Sequence, residues 1–402
     1  MLIAPPKLMP RLLGGGAALD RFVGSDATLL SSHTPDLGGS WTNIEGANQL
    51  LSNYATAPAA SDAWHSSSMD PGSADVILSA DLRVDSNASR AAGLIARASD
   101  GNNLWMLNIY GGNVIIWDRV TGSFTQRAST TPGNAIADGD IIQAIAVLSG
   151  TSIRFTARGE LATFTSSFNQ TVTKHGLSLG TLAGAGRGNV LADNFEVFTG
   201  TSYALVAFDG DSITRGLGTS LNHSFPFQVV EQLEQLGYGR CLRVNLGVDA
   251  QTIANMSTDA AATDAFYNGS LRRNVIVVFA GTNDLYFGAT ATDTYNALVS
   301  YCQARQTTGW EVVVVTMLPR SSAGTPAGFE TARGTVNGNI RSNWRTFADA
   351  IADIAADGRI GDSGDELDTT YYNADKVHLV DAGHDVVTEH VRNAIMTLIA
   401  TQ

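Results

Sequence analysis

Hydrophobic and polar residues alternate along residues 73–198, in short runs such as NLWMLNIY (103–110) and NVIIWDRV (113–120). Clusters of Gly, Asn, Asp and Ser separate these runs, and no stretch of helical periodicity interrupts them. Many short strands at close spacing are typical of an antiparallel sandwich. The upstream segment 38–57 is expected to add edge strands, so the first half predicts an all-β sandwich domain.

The pattern changes near residue 201, where continuous apolar runs begin to alternate with helical segments. The runs YALVAF (203–208), NVIVVFAG (274–281) and EVVVVTMLP (311–319) are apolar on both faces, and PFQVVEQLEQLG (226–237) is an amphipathic helix. Uninterrupted Val and Ile runs between helices indicate a parallel sheet that is covered on both sides. The second half therefore predicts a three-layer α/β/α domain.

A chain of 402 residues is longer than most single domains, and the change of pattern divides it naturally in two. We predict a flexible leader over residues 1–22, a sandwich over 23–200 and an α/β domain over 201–402. Pro and Gly interrupt the leader before it reaches the length of a secretory signal. No apolar run approaches the ~18 residues that span a bilayer, so no membrane insertion is expected.

Charge and cysteine content narrow the function classes further. The formal net charge is −13, which disfavours nucleic acid and anionic membranes as partners, because both attract clustered Lys and Arg. The two cysteines, Cys241 and Cys302, are too few for a disulfide framework or a structural zinc site. Both are expected to be buried apolar side chains, and no cofactor is predicted.

Three strands of the predicted parallel sheet run directly into polar segments, DGDSITRG, GVDAQT and TNDLYF. Ligands of such sheets bind where strands end and helices begin. Ser212 lies in a tight turn after a buried strand, which suits a nucleophile. His378, just ahead of the last helix, is the best placed base, and Asp375 lies three residues before it. Ser212, His378 and Asp375 together predict a proton path.

A serine nucleophile also needs donors for the oxyanion of its tetrahedral intermediate. The neighbouring strand ends offer three neutral groups: the backbone N–H of Ser212, the backbone N–H of Gly247 and the side-chain amide of Asn283. These groups require no metal ion. We therefore predict a metal-free oxyanion hole at this edge of the sheet.

Four blocks of these residues resemble the SGNH hydrolase family of GDSL-like esterases and lipases. The blocks are GDSIT (210–214), NLG around Gly247, GTND (281–284) and DKVH (375–378), in the order and spacing of that family. The resemblance implies a flavodoxin-like fold with Ser212 as nucleophile, Gly247 and Asn283 as oxyanion donors, Asp375 as acid and His378 as base. Leu379 departs from the family, in which many members have Pro.

The first half has a fainter resemblance to concanavalin-like jelly rolls, through SSHTPDLGGSW (31–41) and GLIARASDGNNLWMLNIY (93–110). Such sandwiches accompany carbohydrate-active enzymes and phage tail proteins, which implies possible carbohydrate binding. Trp105 and Trp117 lie inside apolar strands, a position that favours core packing over a sugar-stacking platform.

Two other serines and two other histidines compete with this assignment. GLSLG (176–180) has the spacing of a nucleophile elbow but lies in the β-rich half, without the helix that should follow. GDSGD (361–365) resembles a serine-protease loop and is predicted to be an acidic turn. His378, His384 and His390 are six residues apart and cannot share one helix face, which disfavours a metal site.

These observations predict a serine carboxylic-ester hydrolase whose substrate is an ester, with O-deacetylation of a polysaccharide favoured. The alternatives are a lipase or thioesterase, and a glycan-binding or virion-adhesion protein with an incidental α/β domain. The sequence assigns no compartment, and extracellular, virion-associated and cytoplasmic action all stay open.

Overall fold

The computed structural model describes residues 16–58, 63–84, 90–133, 135–181, 188 and 190–400. The first half consists of strands: β1 Gly16–Asp20, β2 Thr42–Glu45, β3 Gln49–Leu51, β4 Tyr54–Thr56, β5 Trp64–Met69, β6 Val76–Arg83, β7 Arg90–Asp100, β8 Asn103–Tyr110, β9 Asn113–Val120, β10 Ser123–Thr130, β11 Ile141–Ser149, β12 Ser152–Ala157, β13 Glu160–Thr165, β14 His175–Thr181 and β15 Leu191–Phe198.

These strands form two antiparallel sheets, which confirms the predicted sandwich. One sheet has the order β13-β12-β11-β6-β15-β4-β3 with β1 also paired to β15, and the other has the order β10-β9-β8-β7-β14-β5-β2. The segment 38–57 supplies β2 and β3 at the sheet edges, as predicted. Trp105 is fully buried in the core between the sheets, which confirms its packing role.

The structure corrects the C-terminal end of the predicted leader. Strand β1 pairs with β15 through Leu19 and Asp20, so the sandwich begins before residue 23. Asp20 is buried and accepts hydrogen bonds from the indole of Trp41 at 2.6 Å and from the Phe22 amide at 2.8 Å. Long-range pairing of this kind holds a segment that lacks a strong local strand signal. The remainder of the predicted leader, residues 1–15, lies outside the described residues.

The second half alternates strands and helices: β16 Ala204–Gly210, α1 Ser212–Arg215, α2 Phe225–Gln235, β17 Cys241–Asn245, α3 Ile253–Thr258, α4 Ala260–Asp264, β18 Arg273–Phe279, α5 Thr282–Tyr286, α6 Ala291–Thr308, β19 Glu311–Val315, α7 Phe329–Asn343, β20 Ala350–Ala352 and α8 Asp381–Ala400. Short 3₁₀ turns cover Leu30–Ser32, Trp344–Thr346, Ile354–Ala356 and Asp365–Leu367.

The five strands of the second half form one parallel sheet in the order β17-β16-β18-β19-β20. Helices α2 and α8 pack on one face, whereas α3, α6 and α7 cover the other. This arrangement confirms the predicted three-layer fold. Cys241 and Cys302 are buried and free, as expected, and lie in the cores of opposite faces.

The two halves share an interface beside the edge strand β17. Ile145 and Phe198 of the sandwich pack into the same apolar cluster as Leu205 and Leu242 of the α/β sheet. At the end of β17, the side chain of Gln143 accepts from the backbone N–H of Asn245 at 2.9 Å. The sandwich therefore supports the sheet close to the edge where the candidate catalytic residues lie.

Candidate active site

Ser212 is the first residue of α1, directly beyond the carboxyl end of β16. The carboxylate of Asp211 caps this short helix by accepting from the Ile213 amide at 2.9 Å. A Cβ atom on Gly210 would lie 2.2 Å from the Phe279 carbonyl oxygen, so only glycine allows β16 and β18 to approach this closely. The turn thus fixes Ser212 at the carboxyl edge of the sheet, with 8% of its surface exposed.

The structure brings Ser212, His378 and Asp375 together in a hydrogen-bonded chain. Ser212 Oγ lies 2.8 Å from His378 Nε2, and His378 Nδ1 lies 2.6 Å from Asp375 Oδ2. Because a carboxylate only accepts, the Nδ1 atom donates, which leaves Nε2 as the acceptor for the serine proton. These distances suit proton transfer from the hydroxyl to the imidazole.

The turn that carries Asp375 and His378 is stabilised by the same aspartate. Asp375 Oδ1 accepts from the backbone amides of Val377 and His378, each at 3.0 Å. Although burial raises the pKa of Asp375, the hydrogen bonds from His378 and these amides outweigh it and hold the pKa below its usual value. The carboxylate is therefore ionised at neutral pH, as a partner of imidazolium must be.

Asn283 lies near the start of α5, at the end of the neighbouring strand β18. Its Nδ2 atom donates to the Gln251 carbonyl oxygen at 3.0 Å and lies 3.5 Å from Asp211 Oδ2. The side chain therefore reaches the residue that precedes Ser212. The Ser212 N–H is at the first position of α1, among the donors that a helix leaves without an intrahelical acceptor.

The N–H of Gly247 is engaged in a local hydrogen bond, and its role as an oxyanion donor stays a prediction. The N–H of Gly247 donates to Asn245 Oδ1 at 3.0 Å, because the asparagine side chain folds back over the loop after β17. A Cβ atom on Gly247 would lie 2.3 Å from the Arg215 backbone nitrogen. Gly247 therefore lets this loop pack closely against α1.

Two residues near the site were missed by the sequence analysis. Ala250 has a left-handed φ of 58°, unusual for a residue with a side chain, in the loop whose Gln251 carbonyl meets Asn283. Arg320 follows β19 and approaches Asn283 Oδ1 with Nη1 at 3.4 Å. The sequence LPR directly after a buried strand could have indicated Arg320, because residues at the carboxyl ends of the strands form the ligand sites of such sheets.

Buried carboxyl groups surround the nucleophile turn. Burial raises the pKa of Asp211 to about 6, although the Ile213 amide and His378 act in the opposite direction. Burial also raises the pKa of Asp284, whose carboxylate accepts from the Ile253 amide at 3.2 Å. Asp284 therefore fixes the start of α3, in line with the structural role of this residue type in turns.

The competing residues lie elsewhere. Ser178 is inside β14 of the sandwich and hydrogen-bonds to Ser66 at 3.2 Å, whereas Ser363 lies in a turn. His384 is buried and accepts from the Phe225 amide at 3.2 Å, and His390 pairs with Asp357 at 2.9 Å. Within the described part of the chain, no group of three or more His, Cys, Asp or Glu residues could hold a metal ion.

Among the described residues, no helix is both long enough and apolar enough to cross a bilayer.

The chain is similar to a known protein family and to several solved structures of low sequence identity. Residues 208–386 match the sequence model of the GDSL-like Lipase/Acylhydrolase family. No curated protein matches the chain. Among solved structures, TesA is 20% identical and covers 49% of this chain and 99% of its own, with a TM-score of 0.39.

Two further solved structures illustrate the range of similarity. The psychrotrophic esterase EstA from Pseudoalteromonas sp. is 10% identical and covers 49% of this chain and 98% of its own, with a TM-score of 0.39. The carbohydrate-binding module CBM66 from Bacillus subtilis is 14% identical and covers 40% of this chain and 95% of its own, with a TM-score of 0.31. By the family match, residues 208–386 form a GDSL-like lipase/acylhydrolase domain, and the family supports an esterase- or lipase-type hydrolase activity for this domain.

Proposed function

We propose that this protein is a serine carboxylic-ester hydrolase that works through an acyl-enzyme intermediate. The observation that carries the proposal is the hydrogen-bonded chain of Ser212, His378 and Asp375, with distances of 2.8 and 2.6 Å. Ser212 Oγ attacks the ester carbonyl carbon while its proton moves to His378 Nε2. The Asp375 carboxylate stabilises the imidazolium that results.

The intermediate then collapses and the acyl group remains on Ser212. His378 gives its proton to the departing alkoxide, which leaves as the alcohol. Water attacks the acyl-enzyme, His378 takes one of its protons, and the acid product is released as the serine is restored. The Ser212 N–H, the Gly247 N–H and Asn283 Nδ2 are the proposed donors to the oxyanion.

We propose an acetylated or other short-chain carbohydrate ester as the substrate. A pocket of about 240 Å³ between the two halves begins at Arg215 and Gly216, directly after the nucleophile helix. Each arginine of its lining is paired with an aspartate: Arg243 with Asp81, Arg158 with Asp140, and Arg215 with Asp249, which lies outside the lining. A polar surface whose charged side chains are paired favours a hydroxyl-rich, uncharged group over an acyl chain or an anion.

Hydrolysis of p-nitrophenyl esters from acetate to decanoate tests the proposal, with acetate release from an acetylated polysaccharide measured in parallel. Ser212→Ala is expected to lower kcat by roughly 10³-fold or more. Ser363→Ala is the matched control, because it removes the serine of the second G-D-S segment, and it should keep full activity. The wild type should also form one covalent phosphonate adduct, on Ser212.

Each outcome of this experiment discriminates between the alternatives. A preference for acetate supports deacetylation, whereas rising activity towards decanoate supports a lipase or thioesterase. If neither protein hydrolyses any ester and both bind glycan equally, the glycan-binding alternative replaces the enzyme proposal. Activity that persists after phosphonate labelling of Ser212 would contradict the mechanism.

A further inference from the structure

Arg320 lies at the carboxyl edge of the sheet, in the loop that follows β19. The next residue connects this loop to the catalytic turn, since the Ser321 amide donates to the Lys376 carbonyl oxygen at 3.2 Å. Lys376 lies between Asp375 and His378. The loop of Arg320 and the loop of the proposed acid and base are therefore held together.

The guanidinium of Arg320 is buried, with only 8% of the residue exposed. Its Cζ atom lies 4.2 Å from the centre of the Tyr286 ring, and Nη2 donates to Ser322 Oγ at 3.1 Å. Nε has no hydrogen-bond partner among the described residues. Burying a cation with an unpaired donor costs free energy of folding. A buried arginine at this edge therefore indicates a functional role.

The charges around Arg320 belong to the nucleophile turn and the catalytic turn. Burial lowers the pKa of Arg320, while Tyr286, Asp211 and Asp375 act in the opposite direction. The guanidinium therefore interacts electrostatically with the carboxylates of both turns, Asp211 and Asp375.

The contact with Asn283 has a direct consequence for the orientation of its amide. Arg320 Nη1 approaches Asn283 Oδ1 at 3.4 Å, and arginine offers donors alone, so the atom that faces it must be the amide oxygen. On the opposite side, Asn283 Nδ2 faces two acceptors, the Gln251 carbonyl at 3.0 Å and Asp211 Oδ2 at 3.5 Å. If the amide were flipped, its NH₂ group would face the donors of Arg320, and its oxygen would face the two acceptor oxygens of Gln251 and Asp211.

We propose that Arg320 is a positioning residue that holds the Asn283 side chain with Nδ2 aimed at the oxyanion of the ester intermediate. This inference rests on the proposed esterase function. Arg320 acts through Asn283 and does not itself contact the reacting atoms. The long Nδ2 contact with Asp211 is the one that an oxyanion can replace, because it is weaker than the bond to Gln251.

The test combines Arg320→Met, Arg320→Lys and Asn283→Ala with the double variant that carries both Arg320→Met and Asn283→Ala, all assayed on p-nitrophenyl acetate. Arg320→Met should lower kcat about 10- to 100-fold with little change in KM, and Asn283→Ala roughly 10²–10³-fold. In the Asn283→Ala background, Arg320→Met should have almost no further effect on kcat, because the two residues act as one unit. Arg320→Lys, which keeps a donor and the charge, should retain more activity than Arg320→Met.

Arg333→Met is the matched control, because Arg333 is similarly buried in the same domain but donates to the Met317 and Gly361 carbonyls. Arg333→Met should change Tm about as much as Arg320→Met does, but it should keep the kcat of the wild type. Equal losses of kcat from Arg320→Met in the presence and absence of Asn283 would overturn the inference, and so would an unchanged kcat.

A second measurement separates this inference from the proposed function. The side-chain amide signals of Asn283 in the ¹⁵N NMR spectrum, assigned with Asn283→Asp, should shift or broaden in Arg320→Met but not in Arg333→Met. Unchanged signals would overturn the positioning role even if Ser212→Ala abolishes hydrolysis. Conversely, full activity of Ser212→Ala would contradict the proposed function and leave the NMR result as the decisive test of the Asn283 contact.

Discussion

At the residue scale, Asp375 combines two roles in one side chain. Oδ1 accepts from the amides of Val377 and His378 and so closes the turn, whereas Oδ2 accepts from His378 Nδ1. One oxygen of Asp375 holds the turn and the other sets the tautomer of His378. A substitution at Asp375 can therefore change the tautomer and keep the turn. Asparagine retains one acceptor and replaces the second with a donor.

Asp375→Asn should therefore keep the fold of the turn and lose most of the activity. The new NH₂ group facing His378 Nδ1 favours the tautomer with a proton on Nε2, which cannot accept the proton of Ser212. We expect kcat to fall by roughly 10³–10⁴-fold, with KM and Tm close to those of the wild type. Steady-state kinetics and thermal unfolding check both expectations.

Asp381→Asn serves as the control for this variant, since Asp381 lies nearby but bonds to Ser220. It should retain the wild-type kcat. If Asp375→Asn retained it as well, the carboxylate would have no part in the reaction.

At the element scale, the placement of α1 depends on how closely β16 and β18 approach each other. Gly210 is paired in register with Phe279, at the point where β16 ends and the nucleophile turn begins. A methyl group there would meet the Phe279 carbonyl at 2.2 Å and Thr214 Oγ1 at 2.5 Å. The strands could accommodate it only by separating, and the turn with Ser212 would move with them.

Gly210→Ala is expected to lower the free energy of unfolding by roughly 2–3 kcal/mol, because the added methyl overpacks a rigid site. It should also reduce kcat, since Ser212 shifts relative to His378. Urea unfolding and ester hydrolysis measure the two effects.

Gly334→Ala makes the same chemical change in the exposed interior of α7, where a Cβ atom meets nothing within 4 Å. This control should raise the free energy of unfolding by about 0.5–1 kcal/mol, because alanine favours a helix, and leave kcat unchanged. A stable, fully active Gly210→Ala protein would show that the close approach is not needed.

At the scale of the whole molecule, a polar network joins the sandwich to the hydrolase domain. Arg243 of β17 bonds to both oxygens of Asp81, at 2.6 and 2.7 Å. Asn222 donates to Asp193 at 3.0 Å and accepts from Asn194 at 2.8 Å. Burial raises the pKa of Asp193 to about 7 against a usual value of 3.8. The interface therefore contains a carboxyl group whose ionisation opposes folding.

The sign of the pH effect follows from this raised pKa. Below about pH 4 Asp193 is protonated in both the folded and the unfolded chain, and its contribution to the free energy of unfolding is fully present. As pH rises through about 7 that contribution is lost, because the unfolded chain ionises more easily.

Asp193→Asn should therefore reduce the loss of unfolding free energy between pH 5 and pH 8 by roughly 2 kcal/mol, because asparagine does not titrate. Urea unfolding at the two pH values measures this difference. In the control, Asp368→Asn, the replaced group is exposed and its pKa is lowered by hydrogen bonds from Thr370, so it is ionised at both values and the pH dependence should persist. An identical pH dependence for Asp193→Asn and the wild type would contradict the proposed titration.

Local pattern was sufficient for most of the fold. Strands β8 and β9 have the limits that the runs NLWMLNIY and NVIIWDRV predict. The continuous apolar runs correspond to strands of the parallel sheet, because a strand covered on both faces needs apolar residues at every position. The motif spacing also indicated which side chains share the carboxyl edge, and Ser212, His378, Asp375 and Asn283 do lie there.

The tertiary structure decided which partners these groups contact. Sequence spacing could not show that the N–H of Gly247 donates to Asn245, that Arg320 contacts Asn283, or that β1 pairs with β15. Each of these facts depends on contacts between segments that are distant in sequence or on the direction of one side chain. Periodicity specifies which face of an element is buried, whereas hydrogen-bond partners are set only when the elements pack together.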